Sequence, residues 1–241
     1  MKRPLDGREL VVMEYLRDAT GPLGSWSLVE SLETKDLKVS SASIGRILYS
    51  LEQRGFVEGK GNQGRIISKS GLQAIKHTKA INSVDLQREN LENLINSTVL
   101  EDYIMVLQAR KAIERETVRL ATENITETQK KVLSDIVLEQ TGKREKGESI
   151  AEIDIAFHRE IALASHNRAL LSLYGIIATM GQQTELFEFL RHRVNAPYQK
   201  AHSSILQAIC AHDPDEAERC MILHMNALID DVTNYWDKYR E

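Results

Sequence analysis

The stretch SSASIGRILYSLEQRGFVEGKGNQGRIISKSG, residues 40–71, decides the fold predicted for the front of the chain. Ser40 suits a helix N-cap, and apolar residues recur after it at the spacing of one helix face, which predicts a helix to about Arg54. The residues expected to pack inward are Ile44, Ile47, Leu48 and Leu51. The segments FVEG (56–59) and RIIS (65–68) then predict a β-hairpin around a glycine-containing turn.

Two shorter segments with helical apolar spacing precede this stretch. Residues 8–18 predict a first helix and residues 25–33 a second, with Ser25 as its N-cap and the break GPLG (21–24) between them. Trp26 is interpreted as a core residue between these helices. Three helices followed by a hairpin are the pattern of a winged helix-turn-helix.

The exposed face of the third helix and the hairpin carry the residues expected to contact double-stranded DNA. Near the helix start this face is small and hydroxylated, so Ser43, Arg46 and Tyr49 can approach base edges and phosphates. Lys60 and Arg65 flank the wing, where a cation can contact phosphate. A winged helix used for protein contacts is the alternative interpretation.

The charge of the chain is divided unevenly, which favours the DNA interpretation. Residues 1–80 hold 13 Lys and Arg against 9 Asp and Glu, whereas the remaining residues hold 18 against 26. Residues 40–80 alone hold seven basic and two acidic side chains. A basic front on an acidic body is typical of a polyanion-binding module joined to another domain.

Gly59, Gly61 and Gly64 match the pattern G-x-G-x-x-G, which in other sequences marks a dinucleotide site. Such a site needs the motif to open a helix, whose N-terminus holds the pyrophosphate. The residues that follow here, Arg-Ile-Ile at 65–67, favour a strand. The glycines are therefore interpreted as positions of positive φ in a tight wing turn.

The rest of the chain shows helical periodicity and no strand pattern. Residues 70–97 predict a polar helical linker, and residues 98–241 predict an all-helical bundle of about six helices. The predicted helices are 99–122, 127–140, 149–165, 168–190, 196–211 and 214–238. With residues 1–69 as the winged helix-turn-helix, the whole chain is predicted to be mostly α.

The cysteines and the hydropathy of the chain bear on its expected location in the cell. Cys210 and Cys220 have no C-x-x-C partner, so neither a disulfide nor a cysteine-rich zinc site is expected. No apolar run approaches the length of a membrane span, and no leader resembles a signal peptide. A cytoplasmic location without membrane attachment is therefore the expectation.

Asp154 and His158 lie four positions apart in an apolar-periodic segment, so their side chains meet on one helix face. Alone, the pair would be interpreted as a buried histidine hydrogen-bonded to a carboxylate. His202 and His224 lie in apolar parts of two later helices and change that interpretation. Three imidazoles and a carboxylate in a bundle core suit zinc first, with nickel, iron(II) and manganese as alternatives. The histidines not predicted to be ligands are His77, His166, His192 and His212.

Three segments of the body resemble a known family. They are VLQARKAIERETVRLA (106–121), DIAFHREIALASHNRALLSL (154–173) and AHSSILQAICAHDPDEAERCMILHM (201–225). Together they resemble the FCD class, the fatty-acid-regulator C-terminal domain, of the GntR superfamily of bacterial transcription regulators. The resemblance covers nearly all of 98–241, and the order Asp-x3-His, His, His is its most specific part.

This resemblance implies a site and a ligand. The implied ligands of a divalent metal are Asp154, His158, His202 and His224. A small carboxylate metabolite is the implied effector, and Arg110 resembles a pocket position that pairs with its carboxylate. An ion pair between Arg110 and Glu114 on the same helix is an equally favoured alternative. The third predicted helix, which would be the recognition helix that reads the operator, departs from the family pattern. The resemblance therefore implies no operator sequence.

The sequence therefore predicts a metabolite-responsive transcription regulator, a repressor rather than an activator and not an enzyme. A homodimer would bind a palindromic operator. The first alternative is a metal-dependent hydrolase with an appended winged helix, although Glu152 and Glu160 lie on other helix faces than Asp154. The second is a structural metal in a bundle that does not respond to any ligand.

Overall fold

Helices dominate the chain, and the only strands among the described residues form one hairpin. The computed structural model describes residues 3–33, 39–181 and 198–240. Two compact units divide the chain, Met1–Glu89 and Asn90–Glu241. The predicted mostly α fold is confirmed. The predicted turn after the second helix, the end of the helix 168–190 and His192 lie outside the described residues.

The first unit is a winged helix-turn-helix, as predicted. Its elements are α1 (Gly7–Asp18), α2 (Ser25–Glu33), α3 (Ser41–Gln53), β1 (Val57–Gly59), β2 (Arg65–Ile67) and the larger part of α4 (Lys69–Ile95). A capping box starts α1, because the backbone N–H of Glu9 donates to Asp6 at 2.8 Å and the Glu9 carboxylate accepts from the Asp6 N–H at 3.0 Å. Ser40 caps α3 by accepting from the Ser43 N–H at 3.3 Å, as predicted.

Three helices and the hairpin enclose the core of this unit. Its central buried side chains are Val12, Met13, Leu16, Leu28, Leu32, Ile44, Leu48, Leu51 and Val57. The prediction for Trp26 is wrong, because its side chain is 79% exposed. The buried positions of α2 are Leu28 and Leu32, which lie four residues apart on one face, and Trp26 lies off that face.

The wing is joined to the start of α2 by backbone hydrogen bonds. β1 and β2 pair antiparallel, and Leu23 forms an isolated bridge with Arg65 at the open edge of β2. The Leu23 N–H donates to the Arg65 carbonyl at 3.0 Å, and the Arg65 N–H donates to the Leu23 carbonyl at 2.9 Å. Gly61 and Gly64 have φ of 59° and 115°, so both supply the positive φ predicted for the wing. The same prediction is wrong for Gly59, which lies in the extended strand β1.

Alanine at Gly64 is expected to destabilise the first unit by roughly 2–4 kcal/mol, because the position combines positive φ with a blocked Cβ direction. A Cβ there would lie 2.3 Å from the Leu23 carbonyl group. Gly61→Ala is the matched control, since its φ is also positive but no atom lies within 4 Å of the Cβ position. Chemical denaturation of both variants measures the difference, and equal losses would contradict the steric argument.

The second unit is an all-helical bundle in its described part. Its helices are the end of α4, then α5 (Leu100–Asn124), α6 (Glu127–Glu145), α7 (Ala151–Ala164), α8 (Arg168–Gly181), α9 (Tyr198–Cys210) and α10 (Pro214–Arg240). Side-chain caps mark two helix starts: Thr126 accepts from Gln129 N–H, and Asp213 accepts from Glu216 N–H at 3.0 Å. Cys210 and Cys220 are free thiols.

The core of the bundle is formed by α5, α6, α7, α9 and α10. Its largest members include Phe157, Ile161 and Leu133, and Tyr103 packs on Trp236 with ring centroids 5.3 Å apart. Among the helices that the structure describes, none is both long enough and apolar enough to cross a membrane. The apolar face of α7 packs against this core. Two polar residues of that helix, Asp154 and His158, are buried together with it.

Candidate functional site

Three buried histidines from three helices meet in the bundle core. His158 lies on α7, His202 on α9 and His224 on α10, and none is more than 4% exposed. The His158 and His224 Nε2 atoms are 3.2 Å apart, and the His202 and His224 Nε2 atoms are 3.4 Å apart. Ligand atoms of all three lie within 4.8 Å of one another, the only such metal-type group among the described residues.

Aromatic packing fixes the orientation of these rings. Phe157, which is fully buried, stacks on His202 with ring centroids 4.3 Å apart and planes 20° apart. His158 stacks on His224 at 5.1 Å with planes 18° apart. Because the close-packed neighbours leave each imidazole little rotational freedom, the approach of the nitrogens is built into the core.

Asp154 lies one turn before His158 on α7 and is 7% exposed. Its Oδ1 atom is 3.5 Å from His202 Nε2. The carboxylate thus lies beside His202 without belonging to the group of ligand atoms within 4.8 Å of one another. The structure brings all four sequence-predicted ligands to one place in the core.

Two further side chains hold the outer nitrogens of these rings. Gln140 Oε1 on α6 lies 2.9 Å from His202 Nδ1, and Glu114 Oε2 on α5 lies 2.8 Å from His158 Nδ1. The Glu114 contact is mainly electrostatic, because its geometry is not that of a regular hydrogen bond. Acceptors at Nδ1 keep the proton there, so the Nε2 atoms of His158 and His202 present lone pairs to the centre.

The electrostatic surroundings keep His202 and His224 in the neutral form that binds metals. Burial, reinforced by His224, lowers the pKa of His202 well below its ordinary value. Burial and the neighbouring His158 lower the pKa of His224 to about 3. Burial opposes ionisation of Glu114, but Arg110 and His158 outweigh it and lower the pKa of Glu114 to about 2. Neutral imidazoles beside carboxylates are the donors that divalent transition metals require, so these residues fit such a metal.

Arg110 pairs with Glu114 and not with solvent. Its Nε–H donates to Glu114 Oε1, and the two side chains are 3% and 1% exposed. The structure thus contains the Arg110–Glu114 ion pair, which was the alternative interpretation of Arg110. Glu114 also approaches His158, so the chain Arg110–Glu114–His158 reaches from α5 to the centre. Sequence spacing indicated the first of these contacts but not the second.

The two glutamates that a hydrolase could have used lie away from the histidines. Glu152 and Glu160 line a cavity of 670 Å³ together with Arg159 and apolar residues of α7 and α8. The α7 residues at this cavity project from the face opposite Asp154 and His158. Burial raises the pKa of Glu160. Neither glutamate is therefore placed to act on a molecule held at the three histidines.

The residues predicted to contact DNA lie on α3 and in the wing. Arg46 and Tyr49 are exposed on α3, and Arg46 Nη2 lies 3.4 Å from Ser43 Oγ. Lys60 is exposed in the wing turn, where its Nζ is 3.5 Å from Glu58. Arg65 is half-buried, and its guanidinium pairs with Glu52 of α3 at 2.9 Å. Of the two cations predicted to flank the wing, Lys60 thus reaches solvent, whereas Arg65 is held by α3.

Comparison with known families points to the same two regions. The model of the FCD domain matches residues 105–227, which cover about half of the chain and include all four predicted ligands. This chain is an FCD-domain regulator of the GntR superfamily. A second family model, the Ribonuclease R winged-helix domain, matches residues 10–75.

Individual relatives of this FCD regulator carry the names of transcription regulators. The HTH-type transcriptional regulator LutR of Bacillus subtilis is 24% identical over 209 residues, which cover 85% of this chain and 90% of LutR. The HTH-type transcriptional repressor NanR of Escherichia coli K12 is 29% identical over 126 residues. That match covers 50% of this chain and 47% of NanR, so it spans about half of each protein.

Solved structures of similar fold include McbR/YncC of Escherichia coli, with a TM-score of 0.49 and 17% identity over 96% of this chain and 100% of that one. GntR of Streptococcus agalactiae gives a TM-score of 0.47 and 20% identity over 92% and 98% of the two chains.

The FCD regulator is a transcription regulator and not an enzyme, since its family and named relatives are regulators. The hydrolase alternative is wrong for this reason.

Proposed function

We propose that this FCD regulator is a metabolite-responsive repressor in which a metal-bound effector alters DNA affinity. Residues 1–69 bind DNA, residues 70–97 link the two parts, and residues 98–241 bind the metal and the effector. The observation that carries the proposal is the meeting of three buried imidazoles, with their Nε2 atoms 3.2–3.4 Å apart in two of the three pairs, in a regulator's bundle.

The metal is held by Asp154, His158, His202 and His224. Zinc suits three imidazoles and a carboxylate best, and nickel, iron(II) and manganese accept the same donors. Glu114 and Gln140 fix the ring tautomers from outside, as carboxylate and carbonyl partners commonly do for metal-binding histidines. When bound, the metal supplies a Lewis-acidic position for a carboxylate oxygen of the effector.

The effector is a small carboxylate metabolite. Arg110 takes part in its recognition, and an effector carboxylate at this position would share the guanidinium with Glu114. Such competition gives the effector a direct means of moving Glu114, and with it His158. For this to change DNA affinity, the effector must favour one of two arrangements of the homodimer.

DNA binding uses a homodimer on a palindromic operator. Symmetry-related α3 helices enter successive major grooves, with Ser43, Arg46 and Tyr49 toward the bases and Lys60 and Arg65 toward phosphates. The exposure of Arg46 and Tyr49 and the basic balance of residues 40–80 support this assignment. Repression relieved by the effector is the mode that the family resemblance favours.

Native mass spectrometry of freshly purified protein tests the proposal. We expect a dimer with one metal ion per 27.3-kDa chain and, in part of the population, an additional small acid. Removal of the metal by a chelator should also release the acid, because the acid is bound through the metal. A metal-free monomer that takes up no divalent ion on dialysis would contradict the proposal.

A further inference from the structure

The largest exposed aromatic side chain of the first unit has no part in the DNA contacts assigned to α3 and the wing. Trp26 is 79% exposed near the start of α2. The second tryptophan of the chain, Trp236, is 6% exposed and packs on Tyr103. An indole ring left in water contributes nothing to the core, whereas it offers a wide apolar face and one N–H donor to a binding partner.

The position of Trp26 joins the two elements that are proposed to contact DNA. Ser25, its neighbour, lies against α3, where its Oγ is 3.7 Å from the place of a Cβ on Gly45. Leu23, three residues before Trp26, pairs with Arg65 of the wing through two backbone hydrogen bonds. The start of α2 is thus fixed both to the recognition helix and to the hairpin.

We propose that Trp26 contacts the sugar–phosphate backbone of double-stranded DNA. In helix-turn-helix proteins the first helix of the motif crosses the backbone while the second enters the major groove, and α2 holds that first position. The indole face packs on deoxyribose, and its ring N–H donates to a phosphate oxygen. This inference rests on the proposed DNA-binding function. It adds an uncharged contact with DNA to the contacts proposed for Arg46, Lys60 and Arg65.

The surroundings of Trp26 favour DNA over a second copy of the chain. Its neighbours along α2 are Ser25 and Ser27, one carboxylate, Glu30, follows a turn later, and the nearby recognition helix exposes Arg46. The other large apolar side chains exposed in the described part of this unit, apart from Tyr49 of α3, lie on α4: Leu72, Val84 and Leu86. A single exposed indole without apolar neighbours on α2, followed in the chain by a segment with seven basic and two acidic residues, complements a polyanion better than an apolar protein surface.

Because a backbone contact does not depend on base sequence, a fluorescein-labelled duplex of arbitrary sequence at low salt is a suitable probe. Trp26→Ala should lower the association constant roughly tenfold, the usual range for losing a hydrogen bond to a charged group with its packing.

The salt dependence of binding separates this contact from a cationic one. For Trp26→Ala, the slope of log K against log salt should equal that of the wild type, since no cation is lost. Lys60→Ala, which removes a cation assigned to phosphate, should reduce that slope by about 1. Val84→Ala, an exposed apolar residue of α4, is the matched control and should bind as the wild type does.

Fluorescence gives a second reading that does not depend on weakening the complex. In the Trp236→Phe variant, Trp26 is the sole tryptophan, and its emission should be quenched or shifted when unlabelled duplex is added. Trp26→Phe should bind between the wild type and Trp26→Ala, since it keeps the apolar face and loses the N–H. The exposure of Trp26 means that thermal unfolding should be unchanged in both Trp26 variants.

The outcomes separate this inference from the function on which it rests. A wild-type protein that binds no duplex at low salt would overturn both. Wild-type binding that Trp26→Ala and Trp26→Phe leave intact, with unchanged Trp26 emission, would overturn the inference and leave the DNA-binding function standing. Loss of the dimer in Trp26→Ala, seen as a change of mass in native spectra, would assign Trp26 to a protein contact and likewise overturn it.

Discussion

His202→Ala is expected to lower metal affinity by more than about 100-fold, the upper range for losing an outer-shell partner alone. His202 is one of the three histidines at the centre, and its Nε2 atom lies 3.4 Å from His224 Nε2 and 3.5 Å from Asp154 Oδ1. Its removal also leaves Gln140 without the ring that it holds. Elemental analysis after dialysis against buffered zinc measures the loss directly.

Thermal unfolding with and without zinc supplies a second measurement. A ligand that binds only the folded state at about 1,000 times its Kd adds about 4 kcal/mol of stability, so wild-type protein should melt higher with zinc. The same zinc should not move the melting temperature of His202→Ala. His77→Ala is the control, because His77 is exposed on α4. A His202→Ala protein with full zinc stoichiometry and a full thermal shift would show that the metal does not bind at this centre.

Glu114→Ala is expected to destabilise the bundle by about 3–5 kcal/mol, the range for breaking a buried ion pair by removing one partner. The change removes the anion beside Arg110, whose guanidinium is 3% exposed and would remain charged in the core. It also removes the oxygen that lies 2.8 Å from His158 Nδ1, so metal affinity should fall by about 10–100-fold in the same variant.

Two further variants make the Glu114 result specific. Glu116→Ala removes the same side chain from an exposed position of the same helix and should change stability by less than about 0.5 kcal/mol. Glu114→Gln keeps one acceptor oxygen, for either Arg110 or His158, while losing the charge and the second acceptor, so it should fall between wild type and alanine. Urea denaturation of the metal-free proteins gives the comparison. Equal stability of the Glu114 and Glu116 alanine variants would mean that the buried pair is not required.

The helical elements could be predicted because their signals are local. Ser40, Thr126 and Asp213 are caps next to apolar-periodic segments, and each caps a helix in the structure. The wing followed from two short β-favouring segments and glycines whose φ is positive. Trp26 was predicted wrongly because apolar character alone does not bury a residue, and its place relative to Leu28 and Leu32 was the better guide.

The candidate site could be predicted only in part. Asp154 and His158 are related by helical spacing, whereas His202 and His224 are joined to them by tertiary structure. Their apolar surroundings in two later helices suggested the set, and the family resemblance supplied its specific order. Glu114 and Gln140 were missed as partners of the histidines. Gln140 lies 62 positions from His202, and no pattern in the sequence relates a glutamine in one amphipathic helix to a ring in another.

The burial of the three histidines would also limit how quickly a metal held there exchanges. No imidazole is more than 4% exposed, and the rings come from three helices of one packed core. An ion would therefore enter or leave only when the bundle opens locally, however strongly a competing chelator binds it. The metal would then be renewed on the timescale of helix opening.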